Sequence, residues 1–173
     1  GATLALTSKG FDVTCIERDA APMPADHHEA WETWSRDGAG QTRHSHVLLA
    51  PLVNRIASAA PAFLDRLVDR GAEVLAFEDL ARASFEDPVM GPEDAEIRFL
   101  ACRRVVFEFL LRQYMLERGG FEFLDGARVQ GLEVDHSGAM PRVTAVAVKS
   151  ADGERTINAD VVVDASGRNT QMD

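Results

Sequence analysis

The order of apolar and polar positions divides the N-terminal part of the chain into short helical and extended segments. Small apolar residues dominate residues 2–8, and Lys9-Gly10 then provides the basic last turn and the glycine stop of a short helix. Residues 11–17 alternate and are rich in β-branched side chains, which predicts a strand. A helix followed by a Lys-Gly stop and a strand is typical of the second half of a βαβ unit.

The next part of the chain is predicted to be a long loop followed by helices. Residues 19–46 are polar, contain four of the five histidines and both tryptophans, and are expected to form a functional loop. A helix is predicted over residues 47–59. Another follows Pro61 and ends at Arg70-Gly71, because its apolar residues recur at helical spacing: Phe63, Leu64, Leu67 and Val68.

The C-terminal part is predicted to be rich in strands. Residues 72–102 indicate strands and loops, and residues 103–118 indicate a helix that ends at Gly119-Gly120. Asp152-Gly153 is a strong hairpin signal. Strands are predicted over residues 121–124, 127–134, 143–149, 155–158 and 161–163, and the last of these is expected to be buried on both faces because it is continuously apolar.

Composition and charge exclude several classes of protein. The 173 residues contain 18 Lys+Arg and 28 Asp+Glu, a net charge of −10, which argues against binding to nucleic acid. No apolar run approaches the ~20 residues of a transmembrane helix, and we expect a cytoplasmic protein. Cys15 and Cys102 lie in apolar runs, which excludes a disulfide scaffold. The chain starts at Gly1 without Met and stops shortly after an apolar run, so both ends are expected to be cut from a longer protein.

Four segments resemble FAD-dependent monooxygenase-like flavoprotein oxidoreductases, the class that includes aromatic-ring hydroxylases. They are Gly1-Ala2-Thr3-Leu4-Ala5-Leu6, Glu17-Arg18, the run from Gln41 to Leu49, and Arg103-Arg104 together with Val161 to Arg168. The resemblance implies an α/β fold, with a Rossmann-like three-layer FAD-binding domain that includes a β-meander. This domain would comprise residues 1–74 and 103–173, and residues 75–102 would begin a sheet-containing substrate domain.

The resemblance assigns cofactor contacts near the N-terminus. Gly1 corresponds to the third glycine of the family's phosphate loop, which allows close packing of helix on sheet. Glu17 lies at the end of the predicted strand and would accept hydrogen bonds from a ribose, with Arg18 beside it. Without the resemblance, Gly1 is better explained as an ordinary helix start. For Glu17 the alternative is a solvated carboxylate at a strand end, and the combination with Gly1, Lys9-Gly10 and the strand favours the cofactor contact.

The segment Gln41-Thr42-Arg43-His44-Ser45-His46 resembles the loop that runs along the flavin in some members of this class. Arg43 would contact the ribityl or phosphate portion of FAD, since a guanidinium is a fork of donors for anionic oxygens. A solvated surface loop is the first alternative. The second is a zinc site, with ligands drawn from His27, His28, His44 and His46; we predict no metal.

The C-terminal segments complete the expected cofactor site. Either Arg103 or Arg104 would reach the flavin, and the choice between them stays open. The turn at Ser166-Gly167 would bring the backbone close to the cofactor. Many hydroxylases have Asp at the position of Ser166, so direct reduction by NAD(P)H is one expectation and electron supply by a separate reductase is another.

The resemblance therefore implies FAD-dependent hydroxylation or epoxidation of a small organic substrate with O₂. A reductase, halogenase or cyclase of the same fold is an alternative, as is an NAD-dependent dehydrogenase. No residue is singled out as a catalytic acid, base or nucleophile, because the flavin performs the chemistry. The first strand and two glycines of the family's phosphate loop do not precede Gly1 in this chain, so we expect the chain alone to be inactive and unable to retain FAD.

Overall fold

A computed structural model describes residues 1–36, 38–39 and 41–167. The helices are α1 Ala2–Thr7, α2 His27–Thr33, α3 Ala50–Ala59, α4 Pro61–Asp69, α5 Phe77–Ser84 and α6 Arg104–Arg118. The strands are β1 Thr14–Ile16, β2 Ser45–Leu48, β3 Glu73–Ala76, β4 Arg98–Arg103, β5 Glu122–Leu124, β6 Arg128–Asp135, β7 Arg142–Ser150 and β8 Gly153–Asn158. The fold is mixed α/β, with one parallel and two antiparallel sheets among the described residues. The chain forms two compact units, one of residues 1–21 with the chain from 120 onward, the other of residues 22–119.

The first unit combines a parallel pair of strands with a β-meander, and the meander was predicted. β1 pairs with β5 in parallel, and β6, β7 and β8 form an antiparallel sheet in sequence order. Gly153 begins β8 opposite Ser150 with a φ of 120°, a conformation that favours glycine at the predicted hairpin turn. One small cluster of buried residues contains Ala127, Val146 and Val148, and side chains such as Ile16 and Leu124 pack against it.

The predicted strand over residues 161–163 is wrong. The segment has no strand assignment, and Val161 and Val163 are 72% and 55% exposed. Only Val162 of the three packs against the meander core. A continuous apolar run is buried on both faces only where neighbouring elements cover it, and within the described residues no strand pairs with this segment.

The second unit has the larger core. β4 lies between β2 and β3 in an antiparallel sheet, and α3 and α6 contact β4. The largest fully buried side chains come from these elements and from α4: Phe63, Leu67, Leu100, Leu110, Val53 and Val105. The helix predicted after Pro61 is confirmed as α4, and Gly71 follows it with a φ of 89°. The helix predicted over residues 103–118 is confirmed as α6.

The predicted loop over residues 19–46 contains regular structure. Asp26 caps α2, because its side chain accepts hydrogen bonds from the backbone N–H groups of His28 and Glu29. β2 occupies the end of the predicted loop and the start of the helix predicted from residue 47, so that α3 begins only at Ala50. Residues 72–102 contain the unpredicted helix α5, whose first turn is acidic and whose last turn holds Arg82.

The compact units describe contacts within the chain and not its functional domains. β4, which falls mainly in the segment 75–102, pairs with β2 and β3 and belongs to the second unit. The functional division into an FAD-binding portion and a substrate-domain segment stays a prediction. In the described part of the chain, no helix has the length and apolar character needed to cross a membrane.

Candidate functional site

Strand pairing brings the segment around Arg43 to the start of α6. Ser45 lies opposite Arg103 in the register of β2 and β4. The Arg104 N–H donates to the carbonyl oxygen of His44 at 3.1 Å, and the Val105 N–H donates to that of Thr42 at 3.0 Å. Two sequence-distant segments, each predicted to contact the cofactor, are therefore joined by backbone hydrogen bonds.

The guanidinium groups of Arg43 and Arg103 share one aromatic partner, Trp31. The Cζ atom of Arg103 lies 4.2 Å from the Trp31 ring centroid, and that of Arg43 lies 5.9 Å from it. Arg43 also donates from Nη2 to the carbonyl oxygen of Glu32 at 3.1 Å. Both arginines are exposed and Trp31 is half-buried. We call Trp31, Arg43 and Arg103 the Trp31 cluster.

The charge of the Trp31 cluster is not neutralised within the described part of the chain. No carboxylate there forms an ion pair with Arg43 or Arg103. Two exposed guanidinium groups without a carboxylate partner are suited to bind anionic oxygens of a ligand.

Arg104 has a different environment from Arg103. Its Nε donates to Oε1 of Glu108 at 2.8 Å, one helical turn further along α6. The charge of Arg104 is therefore paired within its own helix. Of the two arginines left open by the sequence, Arg103 is the one whose charge is available.

Of the histidines in the predicted loop, His27 and His28 lie on α2, His46 lies on β2, and His44 directly precedes β2. The rings of His27 and His28 lie 4.1 Å apart, and burial, followed by the positive charges of His28 and Arg70, lowers the pKa of His27. Nδ1 of His46 lies 3.1 Å from the carbonyl oxygen of His44. Among the described residues, no group of three His, Cys, Asp or Glu side chains could hold a metal ion.

The remaining predicted residues lie in the first unit. Gly1 is the N-cap of α1, and burial lowers the pKa of its amino group, against a smaller raising by the nearby Cys15 side chain. Glu17 directly follows β1 and is half-buried, with Oε1 accepting a hydrogen bond from the Asp19 N–H at 2.9 Å. Arg18 is exposed beside it. The Glu17 carboxylate is therefore held at the carboxyl end of β1, where α/β folds bind ligands.

The predicted turn at Ser166-Gly167 is present, but its donors are already engaged. The N–H and Oγ of Ser166 both donate to Oδ1 of Asp164, at 2.8 and 2.5 Å. Gly167 has a φ of 80°, as a tight turn requires. The Asp164 carboxylate at this turn does not favour a phosphate contact. Arg168, the last residue of the motif, lies outside the described residues.

Sequence reasoning missed Trp31, although a signal for its helix was present. Asp26 followed three residues later by Glu29 is a capping pattern, and in the structure Glu29 accepts a hydrogen bond from the Ala25 N–H at 2.7 Å. Recognition of that pattern would have placed Trp31 on a helix. Its role as partner of two arginines depends on tertiary contacts.

Comparison with known proteins shows a similarity of fold. No family model and no curated protein sequence matches the chain. Among solved structures, THI4 of Thermovibrio ammonificans has a TM-score of 0.54 and 15% identity, over 97% of this chain and 53% of that one. PqsL, a probable FAD-dependent monooxygenase from Pseudomonas aeruginosa, has a TM-score of 0.52 and 15% identity, over 91% of this chain and 36% of that one.

A third neighbour is p-nitrophenol 4-monooxygenase PnpA of Pseudomonas putida, with a TM-score of 0.52 and 13% identity over 91% of this chain and 35% of that one. The chain thus spans about half or less of the length of these structures. At such low identity the likeness concerns the fold alone. The mixed α/β fold of this chain resembles that of FAD-dependent monooxygenases.

Proposed function

We propose that this chain is part of an FAD-dependent oxidoreductase, a monooxygenase that hydroxylates or epoxidises a small organic substrate with O₂. The observation that carries the proposal is the Trp31 cluster. Its two arginines were each assigned to FAD on separate sequence motifs, and they meet at one ring without a carboxylate partner in the described chain. The fold likeness to monooxygenases supports the same conclusion.

The residues of the second unit fit an anionic cofactor. Arg43 and Arg103 would donate to the ribityl or phosphate oxygens of FAD, and the paired charge of Arg104 makes Arg103 the better candidate of the two. FAD, when bound, supplies the oxidation chemistry with O₂. The part of these residues is to bind and orient the cofactor.

The residues proposed in the first unit differ in how well they are suited to contact FAD. Glu17 is a suitable acceptor for ribose hydroxyls, with Gly1 and Arg18 as its proposed companions. Ser166 and Gly167 retain the turn expected of a backbone contact, although Asp164 already accepts from both donors of Ser166. We therefore rank Glu17 above Ser166 as a cofactor residue.

The substrate side of the reaction is open to several chemistries. A reductase, halogenase or cyclase would use the same cofactor residues, and the electrons could come from NAD(P)H or from a separate reductase. An NAD-dependent dehydrogenase is the alternative of another class. The antiparallel meander β6–β8 favours the flavoprotein, since a simple dehydrogenase would alternate strands and helices more evenly.

The first test is an absorbance spectrum of the purified full-length protein, recorded beside the 173-residue chain. We expect the visible bands of an oxidised flavin in the full-length protein, with flavin released on heating, and no bound flavin in the shorter chain. A colourless full-length protein that takes up no added FAD but binds NAD would overturn the flavin proposal in favour of a dehydrogenase.

The second test assigns the arginines. In the full-length protein, Arg43→Gln and Arg103→Gln are each expected to weaken FAD binding about tenfold or more, because a hydrogen bond to a charged group contributes about 1.5–3 kcal/mol. Arg104→Gln is the matched control, with an expected change in dissociation constant within about twofold. Equal losses in all three variants would contradict the assignment of Arg103.

A further inference from the structure

The most informative unassigned residue in the Trp31 cluster is the tryptophan itself. Its indole ring is the aromatic partner of both arginines, at 4.2 Å from Cζ of Arg103 and 5.9 Å from Cζ of Arg43. The segments that carry the two arginines are joined by the pairing of β2 with β4, and Trp31 enters the same place from α2. No sequence motif assigned it a function.

An indole ring holds a guanidinium in a way that a carboxylate does not. The attraction between the cation and the ring face orients the side chain without cancelling its charge. A carboxylate in the same place would satisfy the donors of the guanidinium and would repel an anionic ligand. Holding two arginines by an aromatic ring therefore keeps both charges available to a ligand.

Trp31 lies on a helix that is fixed in place by packing and by hydrogen bonds. The neighbouring Trp34 is 3% exposed and packs edge-on against Phe109 of α6, with ring centroids 6.1 Å apart. Asp26 caps the other end of α2 through two backbone N–H groups. Arg43 donates a hydrogen bond from its side chain to the carbonyl oxygen of Glu32 on this helix. Trp34 thus anchors the helix in the core, and Trp31 is left to face the arginines.

We propose that Trp31 is a positioning residue, which holds the guanidinium groups of Arg43 and Arg103 ready for the anionic part of the cofactor. The proposal rests on the proposed FAD function and extends it to a residue that acts through the two arginines. Trp31 binds no atom of the cofactor in this proposal; its effect on affinity is transmitted by Arg43 and Arg103.

The test is a double-mutant cycle on FAD binding to the full-length protein, measured as a dissociation constant. Trp31→Ala is expected to weaken FAD binding about tenfold, since two arginines lose their orientation. Trp31→Phe is expected to restore affinity to within about threefold of the wild type, because a ring face remains. In an Arg43→Gln, Arg103→Gln background, Trp31→Ala is expected to have no further effect.

The outcomes separate this proposal from the function on which it rests. If the arginine variants lose affinity and Trp31→Ala does not, the positioning role is wrong and the cofactor site stands. If Trp31→Ala costs the same affinity in the arginine-free background, the ring acts on the ligand directly and the positioning role is wrong. If no arginine variant loses affinity, the cofactor assignment itself is overturned. Thermal unfolding of Trp31→Phe, expected to match the wild type, guards against a folding defect.

Discussion

Two arginine–aromatic contacts in the second unit look alike but differ in whether a carboxylate neutralises the arginine. On the α4–α6 side, Cζ of Arg66 lies 5.5 Å from the Tyr114 ring centroid, and Nη2 of Arg66 donates to Oε2 of Glu117 at 2.7 Å. In the Trp31 cluster, the Arg103 guanidinium lies closer to its ring, at 4.2 Å, and no carboxylate of the described chain pairs with it. In the Arg66 contact a carboxylate neutralises the guanidinium, and we call it the closed contact. In the Arg103 contact no carboxylate of the described chain does so, and we call it the open contact.

The difference separates a structural contact from a candidate binding contact. Tyr114 of α6 packs against Phe63 of α4, with ring centroids 5.4 Å apart. The ion pair between Arg66 and Glu117 links the same two helices. Arg66 also borders a shallow cavity of about 390 Å³ on α4, which contains none of the predicted site residues. A cation–π contact alone is therefore weak evidence for a ligand. What distinguishes the Trp31 cluster is that two arginines share one ring and that neither forms an ion pair with a carboxylate of the described chain.

The largest expected effect concerns the core beneath the closed contact. Phe63 is 0% exposed and packs against both Phe107 and Tyr114. Phe63→Ala is expected to lower the free energy of unfolding by about 3–5 kcal/mol, because it removes buried apolar area and leaves a cavity. Urea unfolding followed by circular dichroism measures the change. The control is Val68→Ala on the same helix, where the side chain is 44% exposed and the expected change is within about 1 kcal/mol. Equal losses in the two variants would contradict the placement of this core.

The second prediction converts the open contact into a closed one. Ser45 lies directly opposite Arg103 in the β2–β4 register, so Ser45→Glu places a carboxylate within reach of its guanidinium. FAD binding to the full-length protein is expected to weaken about tenfold, since the new carboxylate both pairs with Arg103 and repels the anionic ligand.

Ser45→Gln is the matched control, because it has the same length without the charge, and its affinity is expected to stay within about twofold of the wild type. The mirror variant Glu117→Gln opens the contact of Arg66 and is expected to leave FAD affinity unchanged. A gain of FAD binding to Glu117→Gln, or no loss in Ser45→Glu, would remove the distinction between the two regions.

The parts of the fold that the sequence predicted correctly depend on local signals. Pro61 and Arg70-Gly71 mark both ends of α4, and Gly153 marks the hairpin between β7 and β8. The failures have two causes. The Asp26–Glu29 capping pattern is a local signal for α2 that the prediction of a loop overlooked. The packing of α2 on α6 through Trp34 is a non-local contact, which no pattern within residues 19–46 reveals.

The candidate site shows the same division. Arg43 and Arg103 were named from motifs, but their meeting at one ring depends on the pairing of β2 with β4, and β2 was itself unpredicted. The choice between Arg103 and Arg104 depends on which of them forms an ion pair with Glu108. Residue type and spacing propose candidates for binding, whereas the neutralising partners that decide between them come from tertiary structure.

The smallest expected effect is on the stability of α2, the helix that carries Trp31, at acid pH. Hydrogen bonds from the backbone N–H groups of Glu29 and His28 lower the pKa of Asp26, the cap of α2. A carboxylate whose pKa is lower in the folded state stabilises that state above its unfolded pKa of about 3.9, and the stabilisation is lost as the pH falls through the folded pKa. Asp26→Asn keeps an acceptor at the cap but removes this titration. We therefore expect the helical circular dichroism of the wild type to decline more steeply than that of Asp26→Asn as the pH falls below about 4. Identical acid transitions would show that the cap does not hold α2, and the support of Trp31 would then rest on the packing of Trp34 against Phe109 alone.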